Sequence, residues 1–277
     1  MSQTARPPLP WRPALLAKAS AACHLGAGVA VVAMPGAWPW ALGAVAVNHL
    51  LITASSLTPR SPWLGDNIVR LPAASTQRLE LSITLDDGPD PAVTPAVLDV
   101  LDAHAARATF FCIAENARQH PALCREITRR GHSVQNHTQR HSHSFAFLGM
   151  GGFAGEIGRA QATLADITGQ VPQFFRAPAG LRNPLLAPVL QRLELQLVSW
   201  TRRGFDTVQR QPTRVLERLT RGLGAGDILL LHDGNAARAP NGQPVVLQVL
   251  PELLQRARQL GLRTVTLPDA FNPEPGA

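Results

Sequence analysis

The sequence contains no tyrosine, a single lysine (Lys18) and only three cysteines among its 277 residues. Three cysteines do not make a disulfide framework, and Cys23 lies in an apolar run. The formal net charge is nevertheless +7, and the pI is about 11.0. Scattered arginines carry this charge without interleaved aromatic residues, so we expect no nucleic-acid partner. A basic protein surface beside an anionic membrane is the remaining interpretation.

Charge is missing altogether between residues 19 and 59, which contain no Asp, Glu, Lys or Arg. About 20 apolar residues cross the core of a bilayer, and prolines at 35 and 39 divide this run. We therefore predict two membrane-spanning helices, near 14–34 and 37–57. A signal peptide at the first run is one alternative, and a single span with a buried companion helix is another. The second apolar run argues against simple secretion.

Arginines flank both ends of the predicted hairpin, while its short turn has none. Arg6 and Arg12 precede the first span, and Arg60 and Arg70 follow the second. The positive-inside rule then places both ends of the hairpin in the cytoplasm of a bacterial inner membrane, with a periplasmic orientation as the alternative. The predicted division is a membrane segment at 1–58, a proline-bearing linker at 59–80, a second domain at 81–270 and a tail at 271–277.

From residue 81 onward, strand-like runs alternate with helical patterns. The strands are predicted at 81–85, 108–112, 132–136, 173–176, 195–200, 227–232 and 263–267. The helices are predicted at 94–105, 116–130, 153–168, 184–193, 213–223 and 245–260. Seven strands alternating with six helices imply a parallel sheet, and we predict an α/β fold, a distorted (β/α) barrel. The chemistry of such barrels lies at the C-terminal ends of the strands.

Polar side chains gather at those predicted strand ends. The residues that end or follow a strand are Asp86, Asp87, His137, His141, Arg176, Asp206 and His232. Adjacent carboxylates repel, so such a pair is retained most readily where a cation or a proton lies between them. Two imidazoles and a carboxylate make a half-filled coordination shell with room for water and substrate. The alternatives are a solvated Asp-Gly-Pro turn, a buried ion pair at Arg176 and a loop cap at Asp206.

Three neighbouring polar residues carry other predictions. His132 follows a glycine at a strand start and is interpreted as a core histidine. His143 is interpreted as exposed, and Asp233 as a turn residue. Histidine spacing alone therefore does not single out a metal site.

Four stretches of the chain resemble, in order, motifs of the polysaccharide deacetylase family, which is carbohydrate esterase family four and carries the NodB-homology domain. TLDDGP at 84–89 resembles the first motif, HTQRH at 137–141 the second, RAPAG at 176–180 the third and LLH at 230–232 the fifth. The fourth motif is only partly present, because Trp200 and Asp206 align with it but Thr207 replaces its closing tryptophan. The resemblance covers residues 81 to about 268, and the family fold is also a distorted (β/α) barrel.

The resemblance implies a metal centre and a general base. Asp87, His137 and His141 would hold a divalent metal, with zinc as the default and cobalt, nickel or manganese as alternatives. Asp86 would be the general base, and Arg176 would pair with Asp86 and aim it. The domain at 81–270 would then be catalytic.

The same resemblance implies a general acid and a substrate-binding wall. His232 would be the acid, and Asp206 would orient it or raise its pKa. The backbone amide of Ala179 would help to bind the oxyanion, with Leu230 beside it at the substrate. An alanine at 179, where the family often has an aromatic residue, keeps the amide but alters the wall of the cleft.

The function implied is metal-dependent removal of an N-acyl group, most simply acetyl, from a sugar. Deformylation or O-acetyl ester hydrolysis on a lipid-linked sugar would use the same residues. A non-catalytic carbohydrate- or lipid-binding module on a membrane anchor is the alternative from another class. A short linker keeps the domain near the bilayer, so we expect a glycan or glycolipid substrate at the membrane and infer no obligate protein partner.

Overall fold

The computed structural model describes residues 12–272, and these begin with a helical hairpin. The hairpin consists of α1 (Leu15–Ala33), a short 3-10 turn (Pro35–Ala37) and α2 (Trp38–Ser56). Its helices coincide with the predicted spans 14–34 and 37–57, because a proline at 35 cannot continue α1. Both helices are long and apolar enough to cross a bilayer, a property that a signal sequence shares. Arg6 and most of the predicted tail 271–277 lie outside the described residues.

The second part of the chain is built on a parallel sheet. Its strands are β1 (Glu80–Asp86), β2 (Ala108–Cys112), β3 (Ser133–Asn136), β4 (Phe174–Phe175), β5 (Gln196–Leu197), β6 (Arg202–Arg203), β7 (Ile228–His232) and β8 (Arg263–Thr264). The order is β5-β4-β3-β2-β1-β7-β6, with β8 paired to the start of β1. All seven predicted strands are present, and the curled sheet confirms the distorted barrel. The additional strand, β6, is two arginines long and has no apolar pattern from which it could be predicted.

Nine helices of the described residues accompany the sheet. They are α3 (Ala73–Gln77), α4 (Thr94–Ala103), α5 (Ala114–Gln119), α6 (Pro121–Arg129), α7 (Met150–Thr168), α8 (Leu186–Arg192), α9 (Pro212–Thr220), α10 (Val245–Gln259) and α11 (Leu267–Phe271). The single helix predicted at 116–130 is two helices. His120 leaves helical geometry with φ −127° and ψ 57°, because the residue before a proline is driven out of the α region. Pro121 then starts α6.

The central strand β1 shows how the sheet separates an apolar from a polar face. Leu81, Ile83 and Leu85 are fully buried in the main hydrophobic cluster, which also contains residues of α4, α9 and α10. Burial of each such side chain contributes about 1.5–3 kcal/mol. A slip of one residue would exchange the two faces, so these side chains hold the strand register strongly. The same register places Thr84 and Asp86 on the concave face.

The segment predicted as a linker, 59–80, is packed against the sheet rather than extended as a free tether. Ile68 forms a parallel bridge with Val198, and Leu64 and Leu71 are buried. Helix α3 lies within the segment. The domain boundaries stay a prediction, but any tether between hairpin and sheet is shorter than the sequence indicated.

Candidate active site

The two carboxylates at the end of β1 reach one imidazole because the backbone turns between them. β1 ends at Asp86, and Asp87 adopts a left-handed conformation with φ +72°. Successive residues of a regular strand would point to opposite faces. Instead, His137 Nε2 lies 3.8 Å from Asp86 Oδ2 and 3.2 Å from Asp87 Oδ1. The left-handed turn at Asp87, directly after the strand, is therefore what brings the two carboxylates together.

Asp87, His137 and His141 form a compact group of potential metal ligands. One ligand atom from each lies within 4.8 Å of the other two. Asp87 Oδ1 is 3.2 Å from the Nε2 atoms of both histidines. This oxygen is buried and accepts no hydrogen bond from the described residues, a costly state for a carboxylate without a cation. The donor set and the orphaned oxygen fit a divalent metal such as zinc.

Hydrogen bonds orient both histidines of this group. His137 Nδ1 lies 2.8 Å from the carbonyl oxygen of Arg176, so Nδ1 carries the proton and Nε2 is free to coordinate. A tight loop with positive φ at Thr138 (+69°) and His141 (+52°) turns the second imidazole toward the first. Asn136 braces the loop, because its Oδ1 accepts from the amide of Thr138.

The two aspartates hold a proton where a cation would bind, because burial alone would lower the pKa of His137 but Asp86 and Asp87 leave it raised. Burial alone would raise the pKa of Asp87, but the His137 and His141 imidazoles hold it well below its usual range. Burial, followed by repulsion from His137, lowers the pKa of His141. An ionised carboxylate and a neutral imidazole are the forms that bind a metal.

Arg176 is fully buried beside Asp86. Its Nη1 donates to Asp86 Oδ1 and to Thr84 Oγ1, each at 2.7 Å, and its Nη2 donates to the Ser199 carbonyl at 2.9 Å. The guanidinium also stacks 4.1 Å from the centroid of the Phe111 ring. These contacts hold Asp86 Oδ1 in one position and leave Oδ2 facing the imidazole of His137.

His232 and Asp206 form a buried pair on the other side of the cluster. Asp206 Oδ1 lies 2.9 Å from His232 Nδ1, and Asp206 Oδ2 accepts from the His232 amide at 2.8 Å. Burial alone would lower the pKa of His232, but the Asp206 carboxylate, with smaller contributions from Asp86 and Asp87, leaves it raised. The pair therefore favours a protonated imidazole whose Nδ1 is occupied and whose Nε2 can donate.

Ala179 lies at the surface of the site, whereas Leu230 is buried beneath it. Ala179 is exposed in a 3-10 turn, Pro178–Gly180, with φ +53°. Leu230 pairs with Thr84 in register and is only 1% exposed, so it belongs to the floor beneath the polar residues. Ala179 is therefore accessible to a substrate, whereas Leu230 acts through its packing.

Two further residues shape the metal-ligand group and had no motif of their own in the sequence. Asn235 Nδ2 donates to Asp87 Oδ2 at 3.2 Å. Gly234 lies against the backbone of Asp87, where an added Cβ would be 2.3 Å from the carbonyl oxygen. The sequence offered one indication of their role, which is their position directly after LLHD. The chain leaves β7 there, and β7 is paired with β1, so these residues must lie close to the end of β1.

The remaining polar residues lie outside the ligand group. His132 is buried and accepts from the Ala108 amide at 3.3 Å, and His143 is exposed, as predicted for both. Asp233 lies in a bend but is fully buried, and it accepts from Thr94 Oγ1 at 2.6 Å. Burial raises the pKa of Asp233 to about 7, so the interpretation as a simple turn residue was incomplete.

A parallel, curled sheet with carboxylates and imidazoles at its C-terminal strand ends is the arrangement of a barrel-type enzyme. The sequence model of the family described as Polysaccharide deacetylase matches residues 73–198. A chitooligosaccharide deacetylase of Azorhizobium caulinodans is 35% identical over 158 residues, which cover 55% of this chain and 72% of that protein. The chain belongs to the polysaccharide deacetylase family, and it is a hydrolase of carbon–nitrogen bonds of that type.

Two further relatives span most of the same region. A peptidoglycan-N-acetylglucosamine deacetylase of Bacillus cereus is 30% identical over 197 residues, covering 68% of this chain and 85% of that protein. A family 4 carbohydrate esterase from Streptomyces lividans, solved with acetate, superposes with a TM-score of 0.60 at 30% identity. That superposition covers 67% of this chain and 91% of the esterase.

Proposed function

We propose that this protein removes the N-acetyl group from an N-acetylated sugar. The observation that carries the proposal is the convergence of three groups at one end of the sheet. They are the Arg176–Asp86 pair, the Asp-His-His cluster and the His232–Asp206 pair. The relatives named as chitooligosaccharide and peptidoglycan deacetylases support an N-acetylglucosamine unit as the sugar.

Asp87, His137 and His141 would hold a divalent metal, by default zinc. When bound, such a metal polarises a carbonyl group and lowers the pKa of water. Asn235 keeps the carboxylate of Asp87 oriented through its second oxygen, and the Arg176 carbonyl keeps His137 in the required tautomer. These supports leave one oxygen and two nitrogens facing a common point.

The proton transfers are assigned to Asp86 and His232. Asp86 takes the proton of the attacking water on Oδ2, because Arg176 occupies its other oxygen. The backbone amide of Ala179, an exposed residue, donates to the oxyanion that forms at the carbonyl carbon. His232 then delivers a proton from Nε2 to the departing sugar nitrogen, while Asp206 stabilises the imidazolium. Acetate and a free amino sugar are the products.

The apolar hairpin supports a location at the bacterial inner membrane and a glycan or glycolipid substrate there. Two helices of sufficient length and hydropathy precede the sheet. A domain tied to the bilayer encounters a lipid-linked sugar at high effective concentration, an advantage that a soluble substrate does not offer. The arginines that flank the hairpin support a cytoplasmic orientation of the catalytic domain.

The test is a panel of N-acetylated, N-formylated and O-acetylated sugars, free and lipid-linked, with released acetate or formate measured. We expect acetate from N-acetylglucosamine units. Release of formate alone would identify a deformylase instead. Release of acetate only from O-acetyl esters would identify an O-acetyl esterase.

Asp86→Ala and His232→Ala should abolish turnover while the fold is retained, and the exposed His143→Ala serves as the matched control. Near-normal activity in either active-site variant would overturn the mechanism. Sugar binding without turnover by the wild-type protein would favour a binding module.

A further inference from the structure

Residues 59–69 run along the rim of the candidate active site. The carbonyl oxygen of Pro59 accepts from Ser199 Oγ at 2.7 Å and from Asn67 Nδ2 at 2.8 Å. Farther along, the Ser199 amide donates to the Ile68 carbonyl at 2.8 Å, and Thr201 Oγ1 donates to the Val69 carbonyl at 2.7 Å. The segment is thus bonded along the stretch that follows β5.

The same segment contacts the loop that carries Ala179. Gly180 adopts φ +74°, and an added Cβ there would lie 2.6 Å from Pro59 Cβ and 2.7 Å from the Trp200 ring. The ring of Pro59 therefore fills the space directly beside Gly180. Arg182, buried two residues later, donates through Nη2 to the Ser61 carbonyl. The segment therefore holds the C-terminal end of the loop, at Gly180 and at Arg182.

The segment is also continuous with the hairpin. Helix α2 ends at Ser56, and Thr58 Oγ1 donates to the Ala54 carbonyl at 2.8 Å. The Ser61 amide donates to the Thr58 carbonyl at 2.9 Å, so a hydrogen-bonded turn joins the helix to Pro59. Three residues of chain reach roughly 10 Å, which places the Ala179 loop close to the end of α2.

We propose that Pro59 is a positioning residue for the Ala177–Gly180 loop, and that the hydrogen bonds between its segment and the stretch after β5 hold Pro59 in place. The proposal rests on the function proposed above, in which the amide of Ala179 binds the oxyanion. Misplacement of such a donor by about 1 Å can cost up to 10²-fold in rate. The Ala177–Gly180 loop then lies a few residues of chain from the C-terminal end of α2 and is coupled to the hairpin through Pro59.

The experiment uses the full chain in detergent with a water-soluble N-acetylglucosamine tetramer, so that membrane encounter plays no part. Pro59→Gly removes the ring beside Gly180 and should lower kcat about tenfold with KM changed less than about twofold. Pro59→Val refills much of the space and should restore most of the rate. Pro62→Gly, an exposed proline of the same segment, is the matched control. Metal content should be equal in all four proteins.

Amide hydrogen exchange of residues 176–183 provides a readout independent of turnover. It should accelerate in Pro59→Gly and remain as in the wild-type protein in Pro62→Gly. If Pro59→Gly fails to fold, Ser199→Ala, which removes the hydroxyl donor to the Pro59 carbonyl, should show a smaller change in the same direction. Unchanged kcat and unchanged exchange would overturn the proposal. A wild-type protein inactive on every sugar tested would refute the proposed function, while exchange would still decide the role of Pro59.

Discussion

The paired side chains of His232 and Asp206 show how single contacts set the chemistry of the site. A histidine as buried as His232 would ordinarily be neutral, because burial disfavours the charged form. The carboxylate of Asp206, itself fully buried, reverses this effect and raises the pKa of His232. The protonated acid therefore persists to a higher pH than it would in an unpaired imidazole.

Replacing Asp206 by asparagine should shift the alkaline limb of the kcat profile to lower pH and reduce the maximal rate about tenfold or more. The sign follows because the substitution removes the group that raises the pKa of His232, so the acid loses its proton earlier. Profiles between pH 5 and 9 would measure the shift, with the exposed Asp166→Asn as control. An unmoved alkaline limb would show that His232 does not control it.

The histidines at 137 and 141 should determine metal content. His141→Ala should reduce the affinity for zinc at least about tenfold, since even the loss of a residue that only hydrogen-bonds to a metal ligand has an effect of that size. Elemental analysis and competition with a chelator would measure this loss. His143→Ala, two residues farther along and exposed, should bind metal as the wild-type protein does. Equal zinc affinity in the two variants would remove His141 from the ligand set.

At the scale of elements, the loop after β7 matters as much as the strands. It carries Gly234 and Asn235 back against Asp87, so a strand distant in sequence supports the first motif. Strands β1 and β7 carry the site residues on their concave face. Apolar pairs on the convex face, such as Ile83 with Leu229, hold the two strands in register. A packing change there is expected to be transmitted to the ligand group.

Gly234→Ala should weaken metal binding without unfolding the chain. An added Cβ would lie 2.3 Å from the Asp87 carbonyl, so the loop or the ligand must shift, at a typical cost of about 1–3 kcal/mol. Zinc affinity and thermal unfolding with and without zinc would measure the effect. Gly151→Ala, where nothing lies within 4 Å of the added atom, is the matched control. A Gly234→Ala protein with wild-type zinc affinity would contradict the argument.

At the scale of the whole molecule, the hairpin and the sheet are joined through residues 59–69 rather than by a free linker. In the proposed membrane location, the orientation of the hairpin determines which side of the bilayer the cleft faces. Arg12, Arg60 and Arg70 all lie outside the hairpin turn, which favours the cytoplasm under the positive-inside rule.

A reporter that is active only in the periplasm should give little signal when fused after Ala277. The same reporter fused after Gly36, in the turn of the hairpin, should be strongly active and serves as the control. Enzyme activity normalised to the amount of fusion protein would measure both. Strong activity at Ala277 would place the catalytic domain in the periplasm and overturn the cytoplasmic assignment.

The order of the main strands and helices, the apolar hairpin and the family could all be predicted from the sequence alone. These depend on local periodicity and on motifs such as TLDDGP and HTQRH, which are legible along the chain. The family assignment and the (β/α) barrel were confirmed, while the residue roles stay predictions. The boundary at Pro121 and the strand Arg202–Arg203 were missed, because short elements carry too few residues to show a period.

The contacts between residues that are distant in sequence could be identified only from the folded chain. The left-handed turn at Asp87 brings two neighbouring carboxylates to one imidazole, and nothing in an Asp-Asp pair specifies that φ. Asn235 reaches Asp87, and Pro59 reaches Gly180, across more than a hundred residues of chain. Such contacts arise because parallel strands from distant segments of the chain end at the same edge of the sheet. Residues that are far apart in sequence are therefore close together in space.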